Sequence, residues 1–288
     1  MLNLQITSSQ ADYKLLDSGE GEKLERFGPY LFVRPEPQAV WQKRLKEQEW
    51  QKVDAVFKRS GRDGQWFFNT ELPSSWQIVI CGLKLIIKPT SFKHLGVFPE
   101  QMSNWLWLEN LIKKSNRPVS VLNLFGYTGA ASLIAARAGA EVCHVDASKK
   151  AVEWGKENAL VSGLQGKKIR WIVDDVLKFT TREIRRGRKY DAIIMDPPVY
   201  GHGPSGESWR LEKDFQLLLK NCQALLAERP LFILLNGYVM GYSAISYQNA
   251  LRSIVGEKGN MEIGELTIKE EGSERLLPAG IYVRWQNS

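Results

Sequence analysis

The pattern of apolar and polar positions changes near residue 90. Before it, the chain reads as short strands and turns. Tyr13–Leu16 and Tyr30–Val33 flank the turn-rich run Asp17-Ser18-Gly19-Glu20-Gly21. Val53, Ala55 and Phe57 alternate with Asp54 and Lys58, the two-residue period of a half-buried strand. Ser60-Gly61-Arg62-Asp63-Gly64 is a turn signal before Gln65–Phe68, and Gln77–Ile80 and Leu83–Ile87 form a hairpin around Cys81-Gly82. A short helix is expected over Gln38–Glu49, after Pro35 and Pro37. After residue 100 the period becomes helical: Met102, Trp105, Leu106, Leu108 and Ile112 recur, with Pro99 suited to a first helical turn.

From Val119 onward, strands alternate with helices. The strands are Val119–Leu124, Glu141–Val145, Ile169–Val173, Asp191–Met195 and Leu231–Leu235. The helices are Thr128–Ala138, Ser148–Ser162, Val176–Arg186, Leu211–Ala227 and Ser243–Val255. That alternation builds a parallel sheet covered by helices on both faces. Met261–Lys269 and Gly280–Trp285 follow, joined by Glu270–Ala279; so short a connection makes them an antiparallel pair. The fold class is therefore α/β: a doubly wound, mostly parallel seven-stranded sheet with an antiparallel C-terminal strand pair, plus a small, mainly β N-terminal unit. The boundary is set at residues 1–90 and 91–288.

Composition narrows the function. Three cysteines (Cys81, Cys143, Cys222) and three histidines (His94, His144, His202) share no metal-type spacing and make no disulfide framework, so neither a zinc site nor a disulfide scaffold is expected. The start, MLNLQITSSQ, lacks a basic segment followed by an apolar core, and Leu231–Ile245 is interrupted by Asn236 and two glycines and is too short to cross a bilayer. No membrane association and a reducing, cytoplasmic setting are expected. The 288-residue chain has a net charge of +7, which suits a polyanionic partner without specifying one.

In an open parallel sheet, ligands bind beyond the carboxyl ends of the strands. The first strand is followed by Asn123-Leu124-Phe125-Gly126-Tyr127-Thr128-Gly129, in which two glycines allow a tight turn and close backbone approach to a ligand. This is not the G-x-G-x-x-G of a dinucleotide site. The second strand is followed by Asp146, placed to accept from ribose hydroxyls or to cap the next helix. The third is followed by Asp174-Asp175; Asp175 is the favoured acceptor for an adenine amine, with helix capping as its alternative. The fourth is followed by Asp196-Pro197-Pro198-Val199-Tyr200, where an acceptor carboxylate stands beside a stiff backbone whose carbonyls lack competing N–H groups, and an aromatic ring can stack on a planar base.

In this order the motifs resemble those of the class I S-adenosylmethionine-dependent methyltransferases, over about residues 90–288. Together with Gly96-Val97-Phe98-Pro99-Glu100-Gln101 they resemble the bacterial 23S rRNA methyltransferase group, which modifies cytosine C5 or guanine N7. The resemblance implies S-adenosyl-L-methionine as cofactor and RNA, ribosomal RNA favoured, as partner. It places Gly126 and Gly129 at the methionine end, Asp146 at the ribose and Asp175 at the adenine, with Asn123, Phe125, Tyr127, Thr128, Ala147, Asp174 and Val176 also among the cofactor-binding residues. Phe98 and Gln101 would help close over the cofactor. Asp196 would stand near the transferred methyl, sharing the catalytic role with Pro197 and Tyr200.

Two positions depart from that group. Asn123 stands where an acidic residue is usual, and its amide oxygen can still accept from the methionine amino group. The cytosine-C5 members need a cysteine nucleophile, yet Leu234-Leu235-Asn236-Gly237-Tyr238-Val239-Met240 contains none, and Cys143 and Cys222 fall inside a strand and a helix. Transfer to a nitrogen is therefore expected, either a ring nitrogen or an exocyclic amine. Gly201–Gly206 reads as a mobile loop that brings Trp209 or Arg210 onto a base or phosphate, with His202 a lesser candidate base. Arg182, Arg185, Arg186, Arg188 and Lys189 read as a solvated helix end. Lys43, Arg44, Lys46, Lys52, Lys58 and Arg59 are better placed to hold RNA, and Trp105 and Trp107 read as packing residues. The alternatives are a methyltransferase for a protein or small molecule, and a non-catalytic RNA-binding protein retaining the pocket; a nicotinamide dehydrogenase is disfavoured.

Overall fold

The computed structural model describes residues 3–60, 63–238 and 241–287. The tip of the expected turn at Gly61-Arg62 and the stretch Val239-Met240 lie outside the described residues. Elements follow in chain order as β1 (Asn3–Thr7), β2 (Tyr13–Gly19), β3 (Glu22–Phe27), β4 (Tyr30–Pro35), α1 (Glu47–Gln51), β5 (Ala55–Ser60), β6 (Asp63–Phe68), β7 (Trp76–Ile80) and β8 (Leu83–Ile87). A 3₁₀ turn, Pro99–Gln101, leads into α2 (Met102–Lys114). Then come β9 (Ser120–Leu124), α3 (Ala130–Arg137), β10 (Glu141–Asp146), α4 (Lys149–Val161), β11 (Ile169–Val173), α5 (Val176–Arg185) and β12 (Ala192–Met195). The chain continues through β13 (Tyr200–His202), β14 (Ser208–Arg210), α6 (Leu211–Leu225), β15 (Phe232–Gly237), α7 (Ala244–Val255), β16 (Asn260–Lys269) and β17 (Leu276–Gln286). No helix among the described residues is long and apolar enough to cross a membrane.

The chain separates into two compact units. One comprises residues 5–103 and 266–279; the other comprises 1–4, 104–265 and 280–288. In the first, β2-β3-β4-β5-β6 form a five-stranded sheet and β7-β8 a separate hairpin. β3, with the sequence EKLERF, is not legible as a strand because its charges are buried. Glu25, fully buried, takes both Nε and Nη2 of Arg34, at 2.8 and 2.5 Å, and the Tyr13 hydroxyl at 2.8 Å; Lys23 lies 3.2 Å from Glu36. Buried charges persist when they are paired in this way. The arginine holds the Glu25 carboxyl below its usual range against the opposing push of burial.

The helix expected over Gln38–Glu49 is a correction: only Glu47–Gln51 is helical. The preceding stretch is claimed by the β2–β3 hairpin, since Glu20 N–H donates to Trp41 O and Gly21 N–H to Ala39 O. The fully buried Asp17 carboxylate accepts from Arg44 N–H and Leu45 N–H and from the Trp50 indole at 3.0 Å. These bonds offer the backbone partners that a helix would otherwise have supplied.

The second unit is built on a sheet ordered β1-β16-β17-β15-β12-β9-β10-β11. From β15 to β11 neighbouring strands are parallel, and β17 runs antiparallel to β15. The doubly wound α/β fold with antiparallel C-terminal strands is as the pattern predicts; β1, drawn from the extreme N-terminal stretch, adds an eighth strand. The central strands are mostly apolar, with all four residues of β12 and all six of β15 buried, as a sheet covered on both faces requires. Trp105 is buried, and Trp107 packs on Phe232 with ring centroids 5.2 Å apart.

Candidate functional site

Strand order places the site. From β9 the chain winds outward through β10 and β11, then returns to β12 and β15 on the other side of β9. The switch point therefore lies between β9 and β12, where such sheets form a binding crevice. Register brings the strand ends level: Leu124 pairs with Met195 on one side and with Val145 on the other. The next residues, Phe125, Asp196 and Asp146, thus leave the sheet together.

The loop Phe125–Gly129 is tightly held. Phe125 and Tyr127 adopt left-handed backbone angles (φ 58° and 51°), which are strained for side-chain-bearing residues and collect at functional sites. Gly129 (φ 86°) is the N-cap of α3 and owes its place to that angle. Gly126 is needed for another reason: a Cβ there would lie 2.4–2.5 Å from atoms of the His144 ring. His144 is fully buried, and its Nδ1 lies 3.0 Å from the Ser132 hydroxyl, which accepts from Asn123 Nδ2 at 2.8 Å. Burial pushes the His144 pKa down to about 3, so the ring stays neutral. Its Nε2 has no hydrogen-bond partner among the described residues.

Asp146 ties this loop to β10. Its Oδ2 accepts from Tyr127 N–H at 2.9 Å and its Oδ1 from Ser148 N–H at 2.8 Å, while burial raises its pKa and these two donors oppose the rise. Helix capping of α4 falls to Ser148, whose side chain accepts from Ala151 N–H. Ala147 is half-buried beside Asp146, and Thr128 is buried with its carbonyl accepting from Asn158. Asp174 accepts from Asp175 N–H and pairs with Arg182. Asp175 Oδ1 caps α5, accepting from Leu177 and Lys178 N–H at 3.0 and 2.9 Å, and Val176 is buried behind it. Phe98 and Gln101 belong to the other unit, where Phe98 precedes the 3₁₀ turn and Gln101 ends it.

At the fourth strand end, Asp196 is half-buried and has no hydrogen-bond partner among the described residues. Desolvation lifts its pKa to about 6. Pro197 is buried, whereas the Pro198 carbonyl accepts from the Trp209 indole at 2.7 Å. Tyr200 is 53% exposed, and its hydroxyl lies 2.9 Å from His202 Nε2 with the rings edge-on.

Two expectations for the following segment are corrected. The stretch after Tyr200 is a hairpin, in which Tyr200–His202 pair with Ser208–Arg210. Its turn is closed by Glu207, which accepts from Ser205 N–H and pairs with Lys178. Trp209 is buried, 3% exposed, against Phe125, so it supports the site from beneath and is not available to stack on a base. The basic run at the end of α5 is engaged as a helix end: Arg182 with Asp174, Arg186 with Glu183, and Lys189 with Ala224 O. Lys43 is likewise taken up, by Glu22 at 2.7 Å and the Trp50 ring at 4.1 Å, and Arg44 by carbonyls of Leu16 and Glu271. Lys52, Lys58 and Arg59 remain exposed. Cys143 and Cys222 are buried, which pushes their thiols up to about 11 and about 12, so neither supplies a thiolate near neutral pH. The residues missed in the sequence are His144 and Ser132; they carried no signal beyond their place in a strand and a helix.

Comparison with known proteins agrees with this geometry. The family model for S-adenosylmethionine-dependent methyltransferases matches residues 48–250. The crystal structure of an S-adenosylmethionine-dependent methyltransferase from Agrobacterium tumefaciens is 42% identical, superposes with a TM-score of 0.95, and is covered over 94% of its length by 99% of this chain. Ribosomal RNA large subunit methyltransferase K/L of Shewanella baltica is 32% identical over 148 residues, 51% of this chain and 20% of the relative. The Vibrio cholerae protein of that name is 29% identical over 184 residues, 63% of this chain and 24% of the relative. The chain thus spans about a fifth to a quarter of the length of these curated relatives. With the glycine loop, Asp146 and Asp196 set at the ends of neighbouring strands, this chain belongs to the S-adenosylmethionine-dependent methyltransferase family.

Proposed function

We propose that the protein transfers a methyl group to a base nitrogen in RNA, with ribosomal RNA the favoured substrate. The observation that carries this reading is Asp196: an unpartnered, half-buried carboxylate at the switch point, followed by a buried proline and an exposed tyrosine.

The residues present suit the family's cofactor. Each Asp146 oxygen accepts one backbone N–H and keeps lone-pair capacity for a ribose hydroxyl. Asn123 spends its amide N–H on Ser132, which leaves its oxygen for the methionine ammonium. Asp175 Oδ1 is committed to α5, so an adenine amine would be read by its second oxygen. Phe125, Gly126, Tyr127, Thr128 and Gly129 would line the methionine end, with Ala147, Asp174 and Val176 beside the nucleoside. Phe98 and Gln101 are assigned to the cofactor by resemblance alone. When bound, S-adenosylmethionine supplies a methyl already activated on a sulfonium.

What remains for the chain is alignment, which can contribute on the order of 7–11 kcal/mol to lowering a barrier. Asp196 accepts from the substrate nitrogen, the Pro197 carbonyl offers a second acceptor, and Tyr200, held by His202, presents its ring to the base. RNA is supported by the names of the relatives, by the net charge of +7, and by exposed Lys52, Lys58 and Arg59, with the Lys58 ammonium 5.4 Å from the ring centroid of exposed Phe67 in β6. The N-terminal unit, residues 1–90 in the sequence reading, would recognise that RNA, and the work would be cytoplasmic.

The test is transfer of labelled methyl from S-adenosylmethionine to ribosomal RNA and intact subunits, followed by digestion to nucleosides. Label on a base nitrogen supports the reading; cofactor binding without label in RNA overturns it. Asp146→Ala should weaken binding of S-adenosylhomocysteine by about 10–100-fold, the value of one charge-assisted hydrogen bond. Calorimetry measures this directly, and unchanged affinity would remove Asp146 from the ribose.

A further inference from the structure

The five-stranded sheet of the first unit carries an apolar row that is only half covered. Cross-strand pairs set Leu24, Val33, Val56 and Phe67 side by side on one face, one from each of β3, β4, β5 and β6. Trp50 of α1 and Val53 pack over the Leu24 and Val33 end, which is buried. Val56 is partly buried, and Phe67, on the edge strand, is 43% exposed. Where the cover stops, a cavity of about 280 Å³ opens, with Val56 in its floor and Glu47, Gln51, Lys58 and Asn69 on its walls. At roughly 30 Å³ per water that is room for about nine waters, or for one planar base. An exposed aromatic ring beside such a cavity marks a binding surface.

The polar groups on these walls share one hydrogen-bonding sense. Asn69 spends its Nδ2 on the Val53 carbonyl at 2.8 Å, and Gln51 gives its Nε2 to Glu47 at 3.3 Å. Both amide oxygens and the Glu47 carboxylate therefore remain as acceptors. The cations differ in their freedom. Lys43 is held by Glu22 at 2.7 Å, whereas Lys58 has no carboxylate partner among the described residues and stands over the Phe67 ring. An exposed ring, a free ammonium and a row of acceptors beside a base-sized cavity are the parts from which unpaired nucleotides are recognised: stacking for the base, charge for the phosphate and hydrogen bonds for the base edge.

We propose that the first unit binds one unpaired, amine-bearing nucleotide of the RNA here. Its base covers Phe67 and Val56, its amine edge turns to Asn69, Gln51 and Glu47, and its phosphate takes the Lys58 ammonium. The proposal rests on the RNA reading above and deepens it: this nucleotide is held by the first unit and is not the one methylated at Asp196. The acceptors also set a preference. Adenine, cytosine and guanine offer an exocyclic amine to such an edge, whereas uracil offers carbonyls on either side of its N3–H.

The test is fluorescence anisotropy of the full chain with labelled single-stranded oligo(A), oligo(C) and oligo(U). Wild type should bind the first two about tenfold more tightly than oligo(U), the discrimination of one polar edge left unmatched. Phe67→Ala should weaken oligo(A) binding about tenfold or more, as loss of one stacked base does, and Phe67→Trp should retain it. Lys58→Ala should weaken all three and lower the salt slope by about one. S-adenosylhomocysteine affinity and melting temperature should be unchanged in each variant, because these side chains are exposed and lie outside the methyl-transfer site. Wild-type affinity in both Phe67→Ala and Lys58→Ala, or equal binding of oligo(U), overturns the proposal; the proposed reaction stands if wild type still labels ribosomal RNA. The expected losses in a protein that labels no RNA keep this site and overturn that reaction. A wild type that binds none of the three overturns the proposal and assigns this face to a protein partner.

Discussion

Asp196→Ala should abolish methyl transfer, lowering kcat/KM by about 10²–10⁴-fold, the usual contribution of a positioned proton acceptor. Binding of S-adenosylhomocysteine should remain within a few-fold of wild type, because Asp146, Asn123 and the loop Phe125–Gly129 are untouched. The wild-type pH profile should carry the same signature. The ionised carboxylate is the working form, and burial raises its pKa from 3.8 to about 6. Activity should therefore be full above about pH 7 and fall roughly tenfold per unit below 6. Stability should move the other way. A carboxylate whose folded pKa is raised opposes folding in full above that value; the penalty shrinks as pH falls below it and is gone below the unfolded pKa. Asp196→Asn should accordingly stabilise the fold by about 1–3 kcal/mol at pH 8 and by almost nothing near pH 4. Denaturant unfolding at the two pH values checks the sign; equal shifts at both would show that the effect does not come from the buried charge.

The parallel sheet was legible because its strands obey one simple demand. β9, β12 and β15 are covered on both faces and read as mainly apolar runs between polar turns. Helix ends were equally readable where a capping side chain is present, as at Ser148 and Ser243. The N-terminal unit resists such reading because polarity and burial part company there. β3 hides Lys23 and Glu25, and the stretch before α1 surrenders its backbone to Asp17 and to the β2–β3 hairpin. These partners are distant in sequence, so no local pattern announces them. β1 was missed because it is short and half polar, and the neighbour it joins, β16, lies more than 250 residues later.

At the site, the sequence located the strand-end carboxylates but not the division of labour among them. Asp175 caps a helix with one of its two oxygens, and Ser148 relieves Asp146 of the same task. Trp209 looked like a stacking residue because it follows a glycine-rich stretch. Its indole instead bonds the Pro198 carbonyl, so the same proline pair that exposes Asp196 is braced from below. His144 could not be found by spacing at all, since it is defined by a polar atom left unpartnered after everything else has packed.

The glycine motif shows how a correct residue can be chosen for an incomplete reason. Gly126 was read as allowing a tight turn and close approach to a ligand, yet the left-handed angles of the loop fall on Phe125, Tyr127 and Gly129, and Gly126 is glycine because His144 lies against it. Gly126→Ala should therefore act through collision. The added methyl meets a ring held by Ser132 and buried within the sheet, so neither side can yield without disturbing β10 or the loop. Overpacking of this kind costs about 1–3 kcal/mol. Because the displaced loop carries the Tyr127 N–H bonded to Asp146, S-adenosylhomocysteine affinity should also fall, by about tenfold or more. The double substitution Gly126→Ala with His144→Ala separates collision from loss of backbone freedom. If the ring is the obstacle, the pair should recover part of both stability and affinity relative to Gly126→Ala, with a coupling energy of about 0.5–3 kcal/mol between these contacting positions. If backbone freedom were what matters at Gly126, removing the imidazole would restore nothing and the two losses would simply add.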